Sequence, residues 1–211
     1  MPTSLEKWQS VMQPPAVVAF FEGLFERAGV RVTDTGEAFT CSHRGDRIEF
    51  EDGLDESAAD FTVEIDSSQV DRLVEDAKAG ALDPGAQYRI MTELATAATR
   101  SMLERPMIKS RFLRSILFKL GGAESLMHVT LAPPPGEAEV GHTIAYVDGQ
   151  WLVIEGLHGS VPHVYRLTVE DAVAYQRRML AARKANRPST WLAFARWYGQ
   201  LRKRVVTPVS G

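Results

Sequence analysis

One cysteine stands among 211 residues. Cys41 has no partner for an internal disulfide, which excludes a disulfide scaffold and suits a reducing compartment. No run approaches the roughly 20 consecutive apolar residues of a membrane-spanning helix. The first twelve residues carry Glu6 and Lys7 and no apolar core, so they do not read as a signal peptide. There is no Gly-x-Gly-x-x-Gly, no phosphate-binding loop and no His-Glu-x-x-His. Ser160 follows Gly159 without the Gly-x-Ser-x-Gly frame of a nucleophile elbow. His158 and His163 have no third ligand nearby in sequence, and Cys41 and His43 lie two apart on an apolar strand face. Neither is a convincing metal signature, so no metal and no cofactor is expected. What remains is ordinary globular material, 45% apolar and 24% charged. A chain of this length buries roughly 70% of its unfolded surface and folds without staples.

Charge is the first uneven feature. Residues 31–83 hold 15 acids and 5 bases, whereas 166–211 hold 10 bases and 2 acids. Residues 105–119 hold five bases and no acid. Such polarity either pairs within the molecule or presents a basic face to an anionic partner such as a membrane surface.

The hydrophobic period changes along the chain. Ser4–Met12 predicts a short helix with Leu5, Trp8 and Met12 on one side. Ala16–Ala28 predicts a second, with Val17, Phe20, Phe21, Leu24 and Phe25 at helical spacing and Gly29 as its stop. From Val30 to Asp66 the period is two. If Gly45-Asp46 is a two-residue turn, Cys41 lies opposite Phe50 and His43 opposite Ile48, and Phe61, Val63 and Ile65 repeat the pattern. The result is a sheet with one apolar and one acidic, wet face. Asp66 and Gln69 form a capping box for a helix carrying Val70, Leu73, Val74 and Ala77, ended by Gly80. Further helices are expected at Pro84–Glu104 and, as a basic amphipathic segment, at Ile108–Leu120. A second strand group covers 126–167. Thr168 and Asp171 cap a helix over Val169–Ala185, and a last helix runs from Ser189 to about Val205. No internal repeat is legible.

Asp148-Gly149 is a strong hairpin signal. Its register sets Tyr146 opposite Trp151, Ile144 opposite Val153 and His142 opposite Glu155. One hairpin face then holds these six residues. The other holds Thr143, Ala145, Val147, Leu152 and Ile154, so both faces are largely apolar. His142 and Glu155, beside two large aromatics, form either an acid–base pair in a pocket or a structural ion pair at the sheet edge. The last helix combines Trp191, Phe194, Trp197 and Tyr198 with Arg202, Lys203 and Arg204. Aromatics and cations in this arrangement suit a membrane–water boundary, a partner surface, or a helix packed on its own domain. No recognition helix or aromatic–basic sheet points to nucleic acid.

The order of pieces at the N-terminal end carries a resemblance. A Phe-rich helix leads into a one-faced antiparallel meander. The strand Asp60-Phe-Thr-Val-Glu-Ile-Asp66 then runs straight into the helix Gln69-Val-Asp-Arg-Leu-Val74, followed by Ala79-Gly80 and Leu82-Asp83-Pro84. Over about residues 16–84 this resembles the sterol carrier protein 2 (SCP2) family of lipid-binding domains. The resemblance implies a mixed sheet with helices on one face, an apolar tunnel for sterols or acyl chains, and no catalytic residues. By position, it implies that Phe20, Phe21, Leu24, Phe39, Phe50, Phe61, Leu73 and Val74 line the tunnel. From the residues alone, the same side chains are expected to form a filled core.

The expectation is therefore an α+β protein: residues 1–185 as one domain whose sheet draws on both strand groups, and 186–211 as a peripheral basic helix and tail. Three functions stay open. One is a non-enzymatic, cytoplasmic carrier of an apolar ligand, working near membranes. The second is a small-molecule isomerase or hydrolase using His142 and Glu155. The third is a structural homodimer joined through the hairpin's second apolar face or the last helix.

Overall fold

The computed structural model of the chain describes residues 3–77, 82–104 and 125–208. The chain opens with α1 (Ser4–Val11) and α2 (Pro15–Phe21). The strands β1 (Arg27–Val32), β2 (Ala38–Arg44), β3 (Arg47–Asp52) and β4 (Phe61–Ile65) follow, then α3 (Ser67–Ala77) and the long α4 (Pro84–Glu104). The second part holds β5 (Leu126–Leu131), β6 (Val140–Val147), β7 (Gln150–Glu155) and β8 (His163–Leu167). It closes with α5 (Val169–Ala185), α6 (Pro188–Val205) and β9 (Val206–Pro208). The fold is α+β. The expected helix end at Gly80 and the basic segment 108–120 lie outside the described residues.

The strands do not share one sheet, as expected from sequence, but form two mixed sheets, ordered β3-β2-β1-β4 and β7-β6-β5-β8-β9. Each group closes its own pairings, with β1 against β2 and β4, and β5 against β6 and β8. Helix α4 lies between the sheets. Its Ile90 and Leu94 join the first core, while Met91 and Ala95 also face the second sheet. Both hairpins have the register that their turns require, Cys41 opposite Phe50 and His142 opposite Glu155.

The two sheets are copies of one topology, a repeat that the sequence does not display. In each, three strands form an antiparallel meander and the fourth lies parallel to the first. The fourth strand then runs into a helix through a capping box, Asp66 with Gln69 in one unit and Thr168 with Asp171 in the other. Backbone bonds coincide as well. Thr33 N–H donates to Ile65 O as Ala132 N–H does to Leu167 O. Gly53 N–H donates to Ala38 O as Gly156 N–H does to Gly141 O. The hydroxyls of Thr40 and Thr143 donate to the carbonyls of these same glycines at 2.9 and 2.8 Å. Gly53 and Gly156 hold φ of +83° and +82°, the left-handed region where a side chain is strained. Both threonines are 1% exposed, so each hydroxyl needs this internal acceptor.

One expected helix is shorter than its pattern. The apolar spacing from Val17 continues through Leu24 and Phe25, yet α2 ends at Phe21. Gly23 turns the chain with φ +72°. Asp60 then accepts from the N–H groups of Glu26 and Arg27, which sets the entry to β1. Leu24 and Phe25 are buried in this turn, so their periodicity reports burial and not helix. Helix α5 seals the turn from the far end of the chain. Gln176 Nε2 donates to Leu24 O at 3.1 Å, and the Arg177 guanidinium donates to the carbonyls of Glu22 and Phe20. The last helix is peripheral on one side only: Leu192 is exposed, but Leu201 and Val205 are buried against Tyr165. β9 then pairs with β8.

The second sheet is fastened to α4 by Tyr88, which is 2% exposed. Its hydroxyl lies 2.9 Å from Ala138 O and 3.2 Å from Leu131 O, and accepts from Val140 N–H at 3.0 Å. Next to it, Arg89 forks onto Asp76 of α3 and pairs with Glu137 of the same β5–β6 loop. Tyr88→Phe leaves this backbone donor and its acceptors without their partner. It is expected to cost about 1–3 kcal/mol in chemical denaturation. An unchanged unfolding midpoint would show that water replaces the phenol.

Candidate functional site

Apolar residues that fill the first unit have smaller or polar counterparts in the second. The shared hydrogen bonds and registers align Phe39 with His142, Phe50 with Val153 and Phe61 with His163. Two of these three replacements, His142 and Val153, border an apolar cavity of about 150 Å³ between the inner face of the second sheet and α4, α5 and α6. Its walls include Met91 and Ala95 from α4, Met127 and Val129 from β5, Ile144 from β6, and Leu201 from α6. The first unit retains a cavity of only about 50 Å³. A shallow depression of about 570 Å³ between α2 and α5 is open to water and bordered by Glu170, Arg177 and Arg178, so it gives a ligand no enclosure.

The residues implied by the lipid-carrier resemblance therefore divide. Phe21, Phe50, Phe61 and Leu73 border the smaller cavity. Phe20 borders the open depression. Leu24, Phe39 and Val74 are buried in the first core and border none of these spaces. Four Phe pairs among them and their neighbours pack edge-on or tilted, Phe20–Phe21, Phe21–Phe25, Phe25–Phe61 and Phe39–Phe50. Ring packing of this kind is what closes most of the first unit.

Polar groups are few in the larger cavity. His142 Nε2 lies 3.1 Å from the Thr96 hydroxyl of α4. Burial holds this imidazole below its ordinary range, against the Glu155 carboxylate and together with Arg100. His142 and Glu155 stand opposite in register, but among the described residues no hydrogen bond or ion pair joins them: Glu155 is exposed, and His142 Nε2 lies against Thr96. Tyr165 receives Arg202 at 2.5 Å, with the guanidinium also over its ring at 5.1 Å. Tyr175 borders the cavity from α5, and desolvation pushes its hydroxyl pKa above the ordinary phenol range, with Tyr198 acting in the same direction.

The aromatic residues expected at a membrane or partner surface form a ladder against α5. Trp191 packs on Phe194, Phe194 stacks on Tyr198, and both Phe194 and Tyr198 meet Tyr175. Trp197 lies under the Arg178 guanidinium at 4.9 Å. Lys203 is exposed, and Arg204 pairs with Asp171. Among the described residues no helix is long and apolar enough to cross a membrane. No group of three His, Cys, Asp or Glu among them could hold a metal. Cys41 is buried, and burial pushes its thiol far up, away from the reactive thiolate.

Sequence patterning missed Thr96 and Glu93, both on α4. Glu93 borders the smaller cavity, where Gln69 Nε2 donates to it at 3.1 Å. Burial pushes its carboxyl up, helped by the Glu155 and Asp66 carboxylates and opposed by Gln69 and Arg72. Its place between Ile90 and Ala97, both packed in the first core, was the available signal. The folded protein thus holds this proton more tightly than the unfolded chain. The stability so gained is full below the ordinary glutamate range and is lost as pH rises through the folded value. Glu93→Gln is expected to raise the melting temperature at neutral pH and to leave it nearly unchanged near about pH 4. Thermal melts of both proteins across that range check this, and a gap that does not grow with pH would refute it. Comparison of the chain with family models, with curated proteins and with solved structures returns no match.

Proposed function

We propose that the protein is a non-enzymatic binder of a small apolar or amphipathic ligand, held between α4, α6 and the inner face of the second sheet. The observation that carries this is the cavity of about 150 Å³ at the positions where the first unit is filled by Phe39 and Phe50. Apolar cavities of about this volume stay dry and accept a benzene-sized guest. Drug-sized ligands occupy about 300–1,000 Å³. The volume therefore suits a single ring or the end of a short acyl chain, and not a fused four-ring sterol. The ligand class stays close to the one implied by the lipid-carrier resemblance, while the site moves from the first unit to the second.

Toluene is a suitable probe. It is expected to raise the melting temperature saturably, by mass action on the folded state. Ala95→Phe puts a ring into the cavity and is expected to abolish that rise while far-ultraviolet dichroism stays unchanged. A parent protein that melts identically with and without saturating toluene would overturn the reading.

The outer face of the β6–β7 hairpin supports a second reading. Val147 of β6, and Leu152 and Ile154 of the edge strand β7, are 49%, 44% and 40% exposed. The aligned positions of the first unit carry Arg44, Glu49 and Glu51. Charged side chains protect an exposed sheet edge, and apolar ones invite another strand. On this reading two copies pair through β7. The double variant Leu152→Glu with Ile154→Glu restores the first unit's charges. It is expected to sediment as a monomer where the parent sediments as a dimer. A parent that remains monomeric at high concentration ends this reading.

A further inference from the structure

The chemistry of the ligand can be read further if the cavity of the second unit binds one, and this inference rests on that reading. Two hydrogen bonds in the cavity wall set the protonation of His142. The Thr96 hydroxyl donates its only proton to Thr92 O, at 2.7 Å, one turn earlier in α4. The Thr96 oxygen can then only accept from His142 Nε2, which lies 3.1 Å away. Nε2 therefore carries the hydrogen, and in a neutral ring Nδ1 is left as a bare acceptor. Burial favours the neutral ring. The charged groups acting on it are Glu155 of β7, which opposes burial, and Arg100 of α4, which reinforces it. Arg202 of α6 borders the same cavity. Among the described residues no group donates to Nδ1.

We propose that His142 Nδ1 accepts a hydrogen bond from the ligand, so that the cavity selects a small ring or short chain bearing a hydroxyl or N–H over a hydrocarbon of equal size. The reason is asymmetric. A hydrocarbon leaves the acceptor without a partner, whereas a hydroxyl or N–H supplies one. The apolar walls supply the affinity common to both guests.

Phenol, anisole and toluene separate these contributions. All three are single rings, and only phenol can donate. Calorimetric titration of the full-length protein is expected to give phenol an advantage of about tenfold over toluene. Anisole, with an oxygen but no donor, is expected to bind no better than toluene. His142→Leu is expected to remove the advantage of phenol and retain toluene binding. Thr96→Val leaves the cavity shape and releases Nε2–H, and is expected to reduce the advantage of phenol with toluene unchanged. Nitrogen-15 spectra of the ring supply a measurement free of mutation: an Nε2–H tautomer is expected, and an Nδ1–H tautomer would overturn the inference. Equal affinity for phenol and toluene in the parent also overturns it, while leaving the ligand-binding reading in place. Saturable binding of none of the three removes that reading, and this inference with it.

Discussion

A buried phenol holds the two halves of the molecule at a fixed spacing. Tyr88 projects from a helix that belongs to the core of the first unit, and its hydroxyl is bonded to the backbone that joins β5 to β6. Backbone in that loop has no ladder to satisfy it, so the side chain supplies what a sheet would. Arg89, one residue on, holds the same loop by charge. Together they fasten α4 to one end of the second sheet, near Leu131 and Val140. Farther along the inner face His142 lies against Thr96 of α4, and the cavity is the space left among this face, α4, α5 and α6. Interiors are normally packed to crystal-like density, so such a space persists only where its rim is anchored.

The two units show which features a topology requires and which it leaves free. Of the positions aligned along the strands, the threonine of the second strand and the glycine after the third are retained in type, because one buried hydroxyl and one left-handed turn must be satisfied in both. Inner and outer faces differ. The first unit is filled by rings inside and covered by ion pairs outside, such as Arg31 with Glu56 and Glu64. The second is partly hollow inside and apolar outside at Leu152 and Ile154. One backbone plan thus serves as a filled scaffold and as a container.

Local signals in the sequence specify structure where their physics is local. The bounds of α4 and α5 follow from Asp83-Pro84 and from Thr168 with Asp171. The hairpin registers follow from Gly45-Asp46 and Asp148-Gly149. The overrun of α2 marks the limit. Nothing near Phe21 distinguishes a buried turn from another helical turn, since the groups that seal it, Gln176 and Arg177, lie on α5. The repeated topology was hidden because register and hydrogen bonds repeat while most side chains do not. The site was hidden because its defining property is a volume, and Phe39 beside His142 in register is a comparison that only the folded backbone provides.

The bonds from α5 to α2 also have a consequence in time. Gln176 and Leu24 are separated by 152 residues. A ribosome adding about 5–20 residues per second takes roughly 8–30 s to cover that distance. For that interval the first four strands can pair while the turn after α2 still shows open carbonyls to whatever is nearby. The nascent first unit is thus the stage at which a chaperone, or another nascent copy, meets the chain with its closing helix still unmade.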